Sequence, residues 1–308
     1  MLAPVVLFVY NRADHVKQTL DALSKNDLAK ESDLFIFSDG PRKEKDIDAV
    51  NAVRKLIKEE SWKKVFKTVT IIESSKNKGL ANSIISGADS VINKYGRIIV
   101  LEDDCVSSKD FLRFMNISLD YYEHDEKVWS IGGYTVNMHM PQGYSLDVYL
   151  MGRTCSYAWA TWSDRWEKVD WEVKSYPSFK HNIKRRKQFN EYGMDRSKML
   201  DEQQLGIKNS WAIRFCFAMF ENNMFTVYPC QSKIRNIGYD VGTHVTKSTN
   251  ENNFTVELSD AKDEYKLSHS IKVEDQIKKQ FAKYFKRNRI KLFIAYICNV
   301  ILKTKLGR

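Results

Sequence analysis

Residues 96–111 read "GRIIVLEDDCVSSKDF", and the fold turns on how this stretch is taken. Ile98-Ile99-Val100-Leu101 is a continuous apolar run, too short for a helix and rich in β-branched side chains. Bounded by a glycine and by polar residues, such a run is a strand buried on both faces, the mark of a helix-covered parallel sheet. It leads directly into Glu102-Asp103-Asp104. Three adjacent carboxylates repel one another and gain nothing from packing, so a positive group is expected at the end of this strand.

The pattern extends upstream. "VVLFVY" (5–10), "LFIF" (34–37) and "VFKTVTII" (65–72) read as strands, and residues 13–25, 46–60 and 81–95 have helical periodicity. In the first helix Val16, Leu20 and Leu23 share one face. The β-α-β-α-β-α-β alternation predicts an α/β fold with a parallel sheet covered on both sides. Ligands of open α/β sheets bind outside the carboxyl ends of the strands. Asn11-Arg12, Asp39-Gly40, residues 76–79 and Glu102-Asp103-Asp104 each follow a strand, so four polar clusters should converge on one rim.

After residue 125 the rhythm breaks. Residues 128–134 and 147–151 read as strands, residues 179–208 as polar and helical, and residues 210–223 as an amphipathic helix capped by Ser210. Between them lies an aromatic-rich stretch, 153–171, with Trp159, Trp162, Trp166 and Trp171. "FTVYP" is a late strand, followed by a glycine-bearing loop with a histidine, "NIGYDVGTHV" (236–245). The chain divides into residues 1–135, residues 136–270 as the second half of the same domain, and a tail, 271–308.

The 308 residues carry a formal charge of +10, but from Ile271 onward eleven Lys/Arg face only Glu274 and Asp275. The body is therefore near neutral, and the basic character belongs to the tail rather than to a nucleic-acid-binding face. The tail pairs a basic segment, with Ile277, Phe281 and Phe285 at helical spacing, with an apolar stretch of eleven residues. That is shorter than the roughly 20 residues a spanning helix needs. It suits an interfacial anchor on an anionic membrane surface, the alternative being a helix docked on the body. Five scattered cysteines without a CxxC pair suit a reducing compartment, and residues 1–10 read as a first strand rather than a leader. The expected location is cytoplasmic, on the inner face of the cell membrane.

Acids at a strand end can serve a following helix as caps. Ser107-Ser108-Lys109-Asp110 already offers capping groups, so the three acids point instead to a hard divalent cation, Mn²⁺ or Mg²⁺. One or two carboxylates commonly hold such an ion, with phosphate oxygens completing its shell.

The combination "FVYNR", "FSDGP", "NKGLANSIISGAD", "IIVLEDD" and "SSKDFLRFM" resembles the GT-A glycosyltransferases, the N-acetylglucosaminyltransferase I type and family 2-like bacterial enzymes among them. The resemblance spans residues 4–135, thins to about 246 and does not reach the tail. It implies a GT-A, Rossmann-like sheet flanked by helices. Asn11 and Arg12 would lie beside the nucleotide, and Asp39 would bind the base, most naturally the imide N–H of uracil. Lys76, Asn77, Gly79 and Leu80 would flank the nucleotide and its phosphates. Glu102 would touch ribose or sugar hydroxyls, Asp103 the sugar, and Asp104 the metal, with His244 near the diphosphate or metal. Related enzymes carry an aspartate beside a tryptophan at a helix start. The matching run here is Asn209-Ser210-Trp211, which places Trp211 at the substrate and moves the proton acceptor to Asp201 or Glu202. Arg153 and Trp162 are candidate acceptor contacts, while most of the other indoles are expected in the core.

The function these roles imply is metal-dependent, inverting transfer of a sugar from a nucleotide sugar, a UDP-sugar first, to a glycan or lipid-linked acceptor in surface polysaccharide synthesis. Two alternatives are a sugar nucleotidyltransferase and a non-catalytic scaffold that binds nucleotide sugar or glycan. "YNRADH" lacks the glycine-rich phosphate loop wanted by the first, and the missing acid at 209–211 keeps the second open.

Overall fold

The computed structural model describes residues 1–238 and 256–285. His244 and the part of the tail beyond residue 285 lie outside the described residues. In chain order the elements are β1 (Val5–Val9), α1 (Ala13–Ser24), β2 (Asp33–Ser38), α2 (Ile47–Ile57), α3 (Glu60–Lys63), β3 (Thr68–Glu73), α4 (Leu80–Tyr95) and β4 (Arg97–Glu102). There follow β5 (Cys105–Ser107), α5 (Phe111–Tyr122), β6 (Val128–Gly132), β7 (Val148–Met151), β8 (Ala158–Trp162), α6 (Ser163–Trp166), α7 (Tyr176–Lys180) and α8 (Ile183–Phe189). The last are α9 (Arg196–Gln204), α10 (Trp211–Glu221), β9 (Phe225–Pro229), β10 (Ile234–Asn236) and α11 (Asp275–Tyr284).

The expected α/β class is observed. One eight-stranded sheet has the order β3-β2-β1-β4-β8-β6-β9-β7, and β5 pairs with β10 in a separate ribbon. Strands β1 to β4 are parallel to one another, whereas β8 and β7 run against the rest. The sheet thus draws on residues both before and after position 135.

Alternation along the strands decides which face each side chain serves. Val5, Leu7, Ile99 and Leu101 pack with Leu20, Leu23, Phe111 and Met115 on one face. Val6, Phe8, Ile98 and Val100 pack with Ile84, Ala88, Trp159 and Phe215 on the other. Both sets are almost fully buried, which explains why these strands read as unbroken apolar runs.

Strand β8 has no counterpart in the sequence reading, where it lies hidden in the aromatic-rich stretch. Its insertion between β4 and β6 makes most of that stretch core: Trp159 stacks on Trp166 at a centroid separation of 5.6 Å and lies 5.0 Å from Trp211.

The described part of the tail docks on the body. Ile277 and Phe281 are buried, and the Phe281 ring meets Tyr228 at 5.5 Å. Phe285 lies under the guanidinium of Arg153, 3.8 Å from ring centroid to carbon. Protein thus covers the apolar face of residues 277–285, as in the alternative of a helix docked on the body. Among the described residues no helix is long and apolar enough to cross a membrane.

Candidate active site

The carboxyl ends of β1, β2, β3 and β4 deliver their polar residues to one rim, in two adjoining clusters. The first is built on the acids. Arg12, immediately after β1, donates through Nη2 to Asp103 and, at 2.8 Å, to Asp104 Oδ2. One positive group beside the acids is thus supplied by the chain itself, paired with Asp103 and Asp104. Thr19 Oγ1 on α1 donates to the Asp103 carbonyl at 2.8 Å and fixes the backbone of the turn.

Asp104 is held from a second side. Asn236 Nδ2, at the end of β10, donates to Asp104 Oδ1 at 3.0 Å, and the Ile237 amide donates to the Asp104 carbonyl at 2.9 Å. The β5–β10 pairing sets this register, placing Asn236 opposite Cys105. Gly238 follows, its amide donating to Asn236 Oδ1 at 2.9 Å. A Cβ at position 238 would fall on the Asp104 carboxylate, so a side chain there would force the loop or the acid to move.

Three carboxyls against one guanidinium leave an excess of negative charge. Burial works against charge on Arg12, but Asp103 and Asp104 outweigh it and hold the guanidinium above its usual range. Burial pushes the Asp103 carboxyl up, with Arg12 pulling the other way. Glu102 is driven well above the usual carboxyl range, first by burial and then by Asp104 and Asp103.

The second cluster surrounds Asp39. Its Oδ1 accepts from the amides of Gly40 and Lys78, both at 2.9 Å, and its Oδ2 from the Gly79 amide at 2.9 Å and Asn77 Nδ2 at 3.2 Å. Asn77 Nδ2 also donates to the Gly40 carbonyl at 2.8 Å. A Cβ on Gly40 would stand 2.6 Å from the Lys76 carbonyl carbon, so the Asp39-Gly40-Pro41 turn owes its glycine to this close approach. Asp39 thus clasps the β3–α4 loop. With both oxygens engaged internally, its role differs from the base contact expected of it. Lys76 and Leu80 project from the clasped loop into solvent, and Asn11 precedes Arg12 on the same rim.

Other candidates are placed elsewhere. Trp162 lies opposite Arg97 at the amino end of β4, so roughly 16 Å of strand separates it from the acids. There it lines a cavity of about 490 Å³ with Arg97 and Arg165. This corrects its assignment to the acceptor: β8 runs antiparallel and carries Trp162 to the far rim. Trp211 is only 3 % exposed beneath Trp159, a core position rather than a substrate surface. Arg153 is buried in a bidentate pair with Asp195 (2.8 and 2.9 Å) and covered by Phe285, not free for an acceptor.

The two candidate proton acceptors are ion-paired. Asp201 takes both guanidinium nitrogens of Arg186 (2.8 and 2.7 Å) and the Tyr176 hydroxyl (3.0 Å). The Arg186 hydrogen bonds lead in holding its carboxyl below the usual range. Glu202 lies between Lys208 (2.9 Å) and Lys198 (3.5 Å); burial raises it, but these lysines outweigh burial and lower it. For either carboxylate to accept a proton from an acceptor hydroxyl, its basic partners would have to give way.

Asn236 and Gly238 escaped the sequence reading. They sit in the glycine-bearing loop beginning at 236, and only its pairing with β5 brings the asparagine to Asp104.

A divalent cation suits the donor chemistry of the first cluster. Asp103 and Asp104 present hard oxygens that converge on a single cationic nitrogen. Among the described residues no group of three or more His, Cys, Asp and Glu comes together that could hold a metal ion, so Asp103 and Asp104 would need ligand oxygens to complete a shell.

No protein-family model matches the chain, and no curated protein matches it. Among solved structures, S. aureus TarS 1–349 aligns with a TM-score of 0.45 at 12 % identity, over 76 % of this chain and 60 % of that one. A second S. aureus TarS structure gives 0.43 at 11 % identity, over 76 % and 36 %. UDP-glucose pyrophosphorylase complexed with UDP-glucose gives 0.37 at 10 % identity, over 74 % and 90 %. The chain spans less than two thirds of the length of either TarS chain.

Proposed function

We propose that this chain is a metal-dependent, inverting glycosyltransferase that moves a sugar from a nucleotide sugar, a UDP-sugar first, to a hydroxyl of a glycan or lipid-linked acceptor. The observation that supports this reading most is the convergence of Arg12, Asp103, Asp104 and Asn236 at the carboxyl ends of the parallel strands. Carboxylates organised around a cation, on the rim where α/β sheets bind ligands, fit a leaving group of high negative charge.

Asp104, with Asp103 beside it, would hold Mn²⁺ or Mg²⁺. Such an ion, when bound, acts as a Lewis acid on the leaving diphosphate. Arg12 would then be released toward the phosphate oxygens, for which a guanidinium is well shaped. The β3–α4 loop held by Asp39 would set the nucleotide wall, with Lys76 and Asn77 at its edge. Glu102, at the end of β4 beside these acids, would face ribose or sugar hydroxyls. Attack by the acceptor from the opposite face would invert the anomeric centre, with the hydroxyl proton passing to a carboxylate; Asp201 or Glu202 would take it only after its Arg or Lys partners swing away.

The test is calorimetric titration with a panel of nucleotide sugars, with and without Mn²⁺, on the wild type and Asp104→Ala. The reading expects metal-dependent binding that Asp104→Ala abolishes, and release of nucleoside diphosphate once an acceptor is added. Metal-dependent binding with no turnover on any acceptor would leave the scaffold reading instead. Release of pyrophosphate from a nucleoside triphosphate and a sugar phosphate would make the chain a nucleotidyltransferase.

A further inference from the structure

Two loops flank the rim on the α4 side, residues 74–82 and 203–211. They are joined by a hydrogen bond from Asn209 Nδ2 to Asn82 Oδ1 at 3.4 Å. Both present large aliphatic side chains to water: Leu80 is 49 % exposed, Leu205 67 % and Ile207 65 %. Single exposed apolar residues need no explanation. Here three stand on two bonded loops, and each loop adds exposed lysines: Lys76 and Lys78 on one, Lys208 on the other. Neither loop contains an Asp or Glu. Glu202, at the edge of the second, is held between Lys198 and Lys208.

We infer that this lip docks the rim on an anionic lipid surface. Aliphatic tips set among lysines match what an interface-binding segment presents: apolar insertion plus attraction to acidic headgroups. A glycan occupant would call for flat aromatic faces, and the lip has none exposed. The surface differs from the basic tail, since the apolar face of α11 is already covered by Tyr149 and Tyr228. The clasp made by Asp39 ties the lip to the donor cluster, because Lys78 and Gly79 are the residues it holds. Docking there would turn the candidate site toward the bilayer, where a lipid-linked acceptor lies. That last step rests on the proposed function; the docking itself does not.

The experiment is flotation of the full chain with phosphatidylcholine vesicles, plain or containing about one third phosphatidylglycerol. The wild type should float with the anionic vesicles and not the neutral ones. Leu205→Ser/Ile207→Ser should lower the bound fraction about tenfold, with melting temperature and nucleotide-sugar binding unchanged. Lys208→Gln should lower it about fivefold. Equal flotation of the wild type and the double variant overturns the inference, as does equal flotation on neutral vesicles or none at all. A wild-type dimer that the double variant dissolves would assign the lip to a second copy and also overturn it. Nucleotide-sugar titration is read separately, so failure of the proposed function and failure of the docking are told apart.

Discussion

Gly238 packs its bare α-carbon against the carboxylate of Asp104, in the space a side chain would need. The contact joins the end of the fourth strand to a loop reached 134 residues later, and it keeps Asp104 in line with Arg12 and Asn236. Gly238→Ala must displace either the loop or the acid. A displacement of this kind can cost on the order of a hundredfold in rate. We expect nucleotide-sugar turnover to fall by about that much, while the far-ultraviolet circular dichroism stays that of the wild type. Full activity in Gly238→Ala would mean that Asp104 has no fixed role.

Arg12 is the counter-charge of a mostly buried acid. Asp103 has a side chain only 7 % exposed, and its partner Arg12 is 24 % exposed. Removing one member of a fully buried pair costs 3–5 kcal/mol, so for this partly exposed arginine Arg12→Gln should cost about 1–3 kcal/mol. Arg12→Lys keeps a charge but loses the planar fork that reaches both acids, and should recover part of the loss. Urea unfolding of the three proteins checks the order. Equal stability of wild type and Arg12→Gln would show that the acids do not depend on it.

Asp39 makes its own prediction through the backbone it holds. Asp39→Ala removes the acceptor for the amides of Lys78 and Gly79, whereas Asp39→Asn keeps one carbonyl oxygen. Hydrogen exchange at residues 78–79 should accelerate strongly in the alanine variant and less in the asparagine variant. Nucleotide-sugar affinity should follow the same order, with about a tenfold loss for alanine if one to two hydrogen bonds' worth of positioning is lost. Exchange rates equal to wild type would remove the clasp from the account.

Acid stability should trace to Asp110. It is fully buried, with Lys233 Nζ at 2.6 Å, Ser108 Oγ at 2.7 Å and the Lys262 amide at 2.9 Å. Burial alone would raise its carboxyl, but the hydrogen bonds of Lys233, Tyr265, Ser108 and Lys262 together hold it below the ordinary value. A carboxyl depressed on folding contributes its full stability above its unfolded value of about 4, and loses it as the pH falls through the folded value. Wild-type stability should therefore drop below about pH 4. Asp110→Asn, which strands Lys233, should be destabilised by about 3–5 kcal/mol at pH 7 and show a flatter decline below pH 4. Denaturant melts across that range decide it, and parallel slopes would count against Asp110 as the source.

What could be read in advance follows from how local each signal is. Strands β1 and β4 are legible because both faces are covered, which leaves Val5–Val9 and Ile98–Leu101 no polar alternation to blur them, while the more exposed β2 and β3 are legible from their alternation with helices. Asp39 and Asp104 are legible because each sits directly after such a strand. Strand β8 was not, since "AWATW" carries indoles that look like a sugar platform, and only its antiparallel place beside β4 shows that Trp159 is core and Trp162 is on the far rim. Asn236 and Gly238 depend on a pairing between β5 and β10 that no local pattern announces. Asp201 misled for the opposite reason: its partners Arg186 and Tyr176 lie 15 and 25 residues upstream, so the acid looks free in the sequence when it is not.

That pairing gives the last prediction. Arg186 meets Asp201 through two nearly parallel hydrogen bonds, tying α8 to α9, and Tyr176 ties α7 to the same carboxylate. The Asp201 side chain is 29 % exposed, so solvent screens the pair and its loss should cost about 1 kcal/mol rather than the several of an interior pair. Asp201→Asn should accordingly lower the melting temperature by a few degrees and leave turnover within about threefold of wild type. A general base contributes a hundredfold or more, about 3 kcal/mol in the barrier, so the two roles are far apart in the same assay. Asp201→Asn with unchanged melting and a hundredfold loss of rate would return the base to Asp201, and would require Arg186 to leave it when the acceptor binds.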